Sequence, residues 1–231
     1  MSALVLRRAL IVASMLALMV AMWLVTKAGI ASLYYFPAAY AVEQWQKASD
    51  KPDAEQLQRA QLQIASALAW QPQNPHYQLM AAKIAEWAWF SGQLSTAAIS
   101  KNEQIYQHAI AQRPDWPVAY ADYGYFLATV QLRLADGLAQ LELAARHGGY
   151  LPEVHEKILL VSFSNWAALT VAQKAAVFAR VAAAMGGPLQ GNSIRLIKQY
   201  QLERQHCIYL RKRMAANDAW PEVRRQLCPA S

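Results

Sequence analysis

Residues 9–26 form a run of eighteen positions without a charge, with Arg7 and Arg8 in front of it and Lys27 directly behind. A run of that length suits an α-helix crossing the hydrocarbon core of a bilayer, where charge is costly. Lys/Arg pairs favour the cytoplasmic side, so the remainder of the chain is expected outside, in a periplasm or its equivalent. The pattern predicts a cytoplasmic N-terminus over 1–8, a transmembrane anchor over 9–28 and an interfacial segment over 29–53. Tyr34, Tyr35 and Phe36 suit the headgroup layer, where amphipathic rings settle, and Pro37 marks the exit. Two other readings stay open. One is a cleaved signal peptide, with Ala28-Gly29-Ile30-Ala31 as the small-residue site, although such apolar cores run to about 7–15 residues. The other is a buried helix of a soluble protein.

Beyond the anchor the apolar period becomes helical and the punctuation becomes regular. Asp50-Lys51-Pro52-Asp53 is a break, and a helix over 54–70 puts Leu57, Ala60, Ile64 and Leu68 on one face. Asn74 is a good N-cap with Pro75 as first helical residue. The helix that follows carries Tyr77, Met80, Ala81, Ile84, Trp87 and Ala88 as its stripe and stops near Ser91-Gly92; a partner helix is expected over 95–112. The spacing of Pro72 and Pro75 returns 42 residues later in Pro114 and Pro117, ahead of a stripe of Tyr120, Tyr123, Gly124, Leu127 and Val130. Its partner over 134–147 ends at Gly148-Gly149, a glycine stop signal. Pro152, 35 residues after Pro117, opens a third pair. Val154, Ile158 and Val161 line its first helix, Thr170 and Gln173 form a capping box for its second, and Val171, Ala175, Phe178, Val181 and Met185 face inward. Gly186-Gly187-Pro188 closes it. The rest is read as one helix over 192–213 and a short one over 221–227, capped by Asn217-Asp218.

A period of 35 to 42 residues, each unit a pair of short helices opened by proline, is the pattern of helical repeats. Tyr120-x-x-Tyr123-Gly124-x-x-Leu127 resembles the tetratricopeptide (TPR) motif, in which a small residue sits where the two helices of a pair cross. Ala82 takes the place of Gly124 in the first unit, which is about eight residues longer than the family's unit. Gly148 stands where the family has its closing proline. The resemblance implies an all-α chain: an N-terminal transmembrane helix, then a degenerate TPR-like α-solenoid of about three helix pairs over 54–185, then a basic C-terminal helical cap over 186–231. The overall layout also resembles accessory proteins of bacterial exopolysaccharide synthesis and export, of the VpsP type. That resemblance implies a setting in polysaccharide biosynthesis or export.

Composition agrees with helices: 55 % of the 231 residues are hydrophobic, and there are only nine glycines. Alanine, leucine and glutamine lose little on entering a helix. The net charge of +7 is uneven, with eight Lys or Arg against three acids from Gly186 onward. A basic tail suits an anionic surface, an acidic partner or a solvated helix face, and an exported domain has no use for nucleic acid. Cys207 and Cys228 lie 21 positions apart. In an oxidising compartment they are a candidate disulfide, and in a cytosolic protein they would be two free thiols.

Candidate chemistry is sparse. There is no phosphate-binding glycine loop, no Gly-x-Ser-x-Gly elbow and no His-Glu-x-x-His. The five histidines, at 76, 108, 147, 155 and 206, lack ligand spacing and read as surface or helix-end residues. No metal, cofactor or catalytic residue is assigned. Glu86, Glu103 and Asp122 are the acids nearest the inward faces. Eight tryptophans and eleven tyrosines are many for such a chain. Most fall on the inward stripes, but Trp89, Trp116 and Tyr125 lie off them and are candidate partner-binding aromatics, for a helix, a peptide or a stacked sugar. The expectation is a non-enzymatic periplasmic scaffold, bound to the lipid bilayer through 9–28 and contacting other inner-membrane or envelope proteins. A glycan-binding or glycan-processing envelope protein, and a cytoplasm-facing adaptor with a basic tail, are the alternatives.

Overall fold

The computed structural model describes residues 3–48, 51–214 and 217–228, and among these every regular element is helical. Residues 1 and 2 of the expected N-terminus, Asp50 of the expected break, and 215, 216 and 229–231 of the basic cap lie outside the described residues. The chain divides into two compact units, Met1–Arg113 and Pro114–Ser231.

The first unit is built on α1, Ala3–Ala48, one helix that runs on through Pro37. Of the expected interfacial segment over 29–53, residues up to Ala48 are the second half of this helix. Ala31, Ala38, Val42 and Trp45 recur at helical spacing and are buried against α2 (Ala54–Trp70) and α3 (Pro75–Phe90). The core thus begins on α1 four residues past Lys27. Leu57, Ala60, Ile64 and Ala67 of α2 and Tyr77, Ile84 and Ala88 of α3 complete it. The start of α2 is set by a capping box, in which Asp53 Oδ1 accepts from the Gln56 N–H at 2.8 Å and Gln56 Oε1 accepts from the Asp53 N–H at 3.1 Å. Asn74 caps α3 as expected, accepting from the His76 N–H at 3.0 Å.

The expected stripe on α3 is too narrow. Leu79 and Ala82 are buried as well, because α3 packs against α1 and α2 on one flank and α5 (Asn102–Gln112) on the other. The single helix expected over 95–112 is broken. Ser95 caps one turn, α4 (Thr96–Ile99), and a new helix starts at Asn102. The buried side chain of Asn102 donates to the Ala82 carbonyl at 2.9 Å, which holds that restart against α3.

The second unit contains α6 (Pro117–Thr129), α7 (Leu134–Gly148), α8 (Pro152–Ser164), α9 (Val171–Ala184), α10 (Gln190–Gln199), α11 (Glu203–Met214) and α12 (Trp220–Leu227). α6 lies between α7 and α8 and is buried nearly all round. The expected helix over 192–213 is two helices, parted where Gln201 takes a left-handed φ of 56°. Asn217 does not cap α12 from the N-cap position. It closes the turn before it, accepting from the Ala219 N–H at 2.8 Å. The Thr170–Gln173 capping box forms as expected. The inward face of α9 differs from expectation: Val177, Val181, Ala184 and Met185 are buried while Val171 and Ala175 are exposed. α9 shares its core with α10 and α11 as well as with Leu159 and Phe163 of α8, so Val177 joins Val181 and Met185 inside while Val171 and Ala175 stay out.

Candidate functional site

A groove of about 860 Å³ separates α9 from α7 and α8. Its walls are Leu138, Leu141 and Ala145 of α7, Ile158 of α8, and Ala176 and Val177 of α9. Arg180 supplies the cation. Its guanidinium donates to the Gly149 carbonyl at 3.0 Å, and burial lowers its pKa while leaving it charged at neutral pH. Glu142, Tyr150 and Gln173 add polar groups to the lining. A channel with aliphatic walls and one fixed cation suits an apolar chain bearing a carboxylate.

Two polar clusters support this unit. Asp122 is buried on α6, and Lys157 of α8 reaches it at 2.6 Å while its ammonium also stands 5.1 Å from the Tyr125 ring centre. His155 lines the groove, and its Nε2 lies 2.8 Å from Ser193 Oγ. The Ser193 hydroxyl donates to the Leu189 carbonyl at 2.8 Å, which leaves its oxygen to accept from the imidazole. Burial, and secondarily Arg180, push the His155 pKa down to about 4. The pair has the composition of a nucleophile and base, but both side chains are almost wholly covered, so it reads as a strut between α8 and α10.

His206 is also buried, contrary to the surface position expected for the histidines. Its ring lies among Phe163, Trp166 and Phe178, with Nδ1 2.9 Å from the Leu202 carbonyl and Nε2 without a hydrogen-bond partner among the described residues. Burial pushes its pKa down to about 4. Beside it, Cys207 and Cys228 stand at disulfide distance with Cα atoms 5.3 Å apart, joining α11 to the end of α12.

The three candidate aromatics fall in different units. Trp89 belongs to the first unit, half-buried, with its indole N–H 3.4 Å from Thr96 Oγ1. Trp116 is the N-cap residue of α6 and Tyr125 sits nine positions on, roughly 13 Å along the axis and beyond the reach of one sugar ring. Both are half-buried, and neither lines the groove. Among the described residues no group of three or more His, Cys, Asp or Glu is placed to hold a metal ion.

Sequence reasoning missed Arg180, because its importance comes from the direction in which α9 packs. It also missed His155 and His206. Their one available signal was a place on the apolar side of their helices. No protein-family model, curated protein or solved structure matches the chain.

Proposed function

We propose that the chain is a membrane-anchored adaptor of a bacterial envelope assembly. In this reading α1 crosses the inner membrane through 9–28, residues 1–8 stay cytoplasmic, and degenerate TPR-like helix pairs on the periplasmic side receive another protein. The observation that carries it is the division of α1. The side chains of Leu10 to Thr26 are all exposed, while from Ala31 onward the same helix supplies the core of the first unit. α1 is long and apolar enough to span a membrane. A bare apolar rod continuous with a packed core has a natural solvent in lipid.

The contact surface in this reading is the α7–α9 groove. Its aliphatic walls favour a partner's apolar segment over a glycan, which would call for stacked rings. The polysaccharide setting rests on the VpsP-type resemblance. The function is a scaffold's, with no chemistry of its own and no nucleic-acid partner.

Two measurements test the reading. A phosphatase active only outside the cytoplasm, fused after Ser231, is expected to be active; an inactive fusion reverses the topology. Cross-linking of whole membranes followed by tag purification is expected to capture a partner that is lost in Ala139→Glu and Ala176→Glu, two exposed groove positions outside the core. Capture unchanged by both substitutions removes the groove as the contact.

A further inference from the structure

The way α3 docks on α1 points to a second lipid contact, separate from the span. Tyr77 at the start of α3 lies against Tyr35, with ring centres 4.8 Å apart, and its hydroxyl is 3.3 Å from Ser32 Oγ. Ten residues further along both helices, Trp87 meets Trp45 with ring centres 5.9 Å apart. The constant register means that α3 runs parallel to α1 and that its N-terminus is the end nearer the apolar half of α1. The α2–α3 turn, residues 71–74, is at that end too. α5 runs back along α3, so that its C-terminal end is there as well: Arg113 Nη1 is 2.9 Å from His76 Nε2, and Gln112 Nε2 is 3.4 Å from Gln78 Oε1.

The height of this end above the hydrocarbon follows from helix geometry. A span over 9–28 leaves Ser32 four residues, about 6 Å, past its last residue. The headgroup layer on each face is on the order of 5–7 Å thick. The Tyr77 hydroxyl is therefore held at headgroup level, and exposed Pro72, Gln73, His76 and Arg113 lie at the same end of α3. On α1 itself, exposed Leu33, Tyr34 and Phe36 follow at about 7.5, 9 and 12 Å past the span, from the outer edge of that layer outward.

We propose that this end of the first unit, the α2–α3 turn with His76 and Arg113, rests on phospholipid headgroups, with Arg113 directed at their phosphates. The unit is then braced at two points, by α1 through the bilayer and by this end on its surface, so its tilt is restricted. A guanidinium is well suited to that task, since it matches phosphate in two-pronged fashion. The inference rests on the membrane-anchor reading of α1.

The test uses the full chain in nanodiscs of phosphatidylcholine and phosphatidylglycerol. A benzophenone-bearing residue replaces Val20, Gln73 or Gln93 in turn, and lipid adducts are counted by intact mass after irradiation. Val20 lies within the span, Gln73 at the tip of the α2–α3 turn, and Gln93 past the opposite end of α3. Adducts at Val20 and Gln73 with none at Gln93 are expected. Adducts at Val20 alone overturn the headgroup contact and leave the anchor standing. Absence of adducts at Val20 overturns the anchor and this inference together, and equal adducts at Gln73 and Gln93 overturn the proposed orientation. In an Arg113→Glu background the Gln73 yield is expected to fall at least threefold while the Val20 yield holds; an unchanged Gln73 yield removes Arg113 from the contact.

Discussion

Gly124 of α6 and Gly137 of α7 face each other so closely that neither could carry a side chain. A Cβ built on Gly124 would lie 2.8 Å from the Gly137 carbonyl oxygen, and one built on Gly137 would lie 2.7 Å from the Gly124 carbonyl oxygen. The obstacle is backbone on both sides, which cannot swing away as a side-chain tip can. An alanine would gain about 1 kcal/mol in helix propensity, but forcing apart a packed crossing costs about 1–3 kcal/mol and more where backbone must move. Gly124→Ala is expected to lose on the order of 2 kcal/mol net, read as a lower thermal midpoint of the solubilised chain. Gly124→Val is expected not to accumulate folded. A midpoint raised by Gly124→Ala would mean that the helices separate easily.

Asp122 and Lys157 join α6 to α8 at 2.6 Å, with the carboxylate almost fully covered and the lysine side chain 18 % exposed. Removing one partner leaves a poorly solvated charge, so Asp122→Ala is expected to cost about 3 kcal/mol. Replacing both partners by apolar groups removes that penalty. The double variant Asp122→Leu with Lys157→Met is expected to regain most of the loss in chemical denaturation. A double variant as unstable as the single one would show that the pair itself contributes the stability.

Which of these contacts could be read from the chain depends on range. Local signals worked: Asn74 with Pro75 and Thr170 with Gln173 act within one turn, and their caps formed where the residues stand, while the box of Asp53 with Gln56 lay unread in the break at Pro52. The place of Gly124 was readable through the resemblance to the TPR motif, whose small residue sits where the two helices of a pair cross. Its partner Gly137 was not, since pairing is a matter of tertiary register. The same limit explains α9. Its sequence is apolar enough to bury either side, and the buried face is set by residues 189–210 of the following helices together with Leu159 and Phe163 of α8. The groove and Arg180 follow from that packing, so they could not be read from the local pattern. Buried His206 was hidden for a related reason: the aromatic ring set that covers it comes from three separate stretches.

The Cys207–Cys228 pair closes a 21-residue separation at the end of the chain. Cross-linking a loop of that size removes unfolded-state freedom worth about 3 kcal/mol. α12 is short, and Val223 and Leu227 are what it buries in the core of the second unit. Chain purified from membranes is expected to contain no reactive thiol without reductant. Reduction is expected to speed amide exchange across α11 and α12 while leaving the α6–α7 crossing protected. Two free thiols in the untreated chain would defeat this prediction and weaken the periplasmic reading with it.

Acid stability offers the last test, through His206. In the folded chain its pKa is pushed down to about 4 by burial, against about 6.5 in an unfolded chain. Between these values the unfolded form binds the proton and the folded form does not. Stability is therefore full above pH 6.5, falls as the pH drops from 6.5 towards 4, and levels below that. The loss from this one group is on the order of 3 kcal/mol across the window. His155, with its pKa also pushed down to about 4, adds a second loss of the same sign. His206→Phe keeps a ring among Phe163, Trp166 and Phe178 and removes both the titrating group and the unpartnered Nε2. Denaturation series at pH 7.5 and 4.5 are expected to show a smaller gap for His206→Phe than for the parent chain, with the remainder due largely to His155. Equal gaps in the two proteins would mean that His206 takes up its proton while folded, and that its aromatic surroundings open readily enough to let water in.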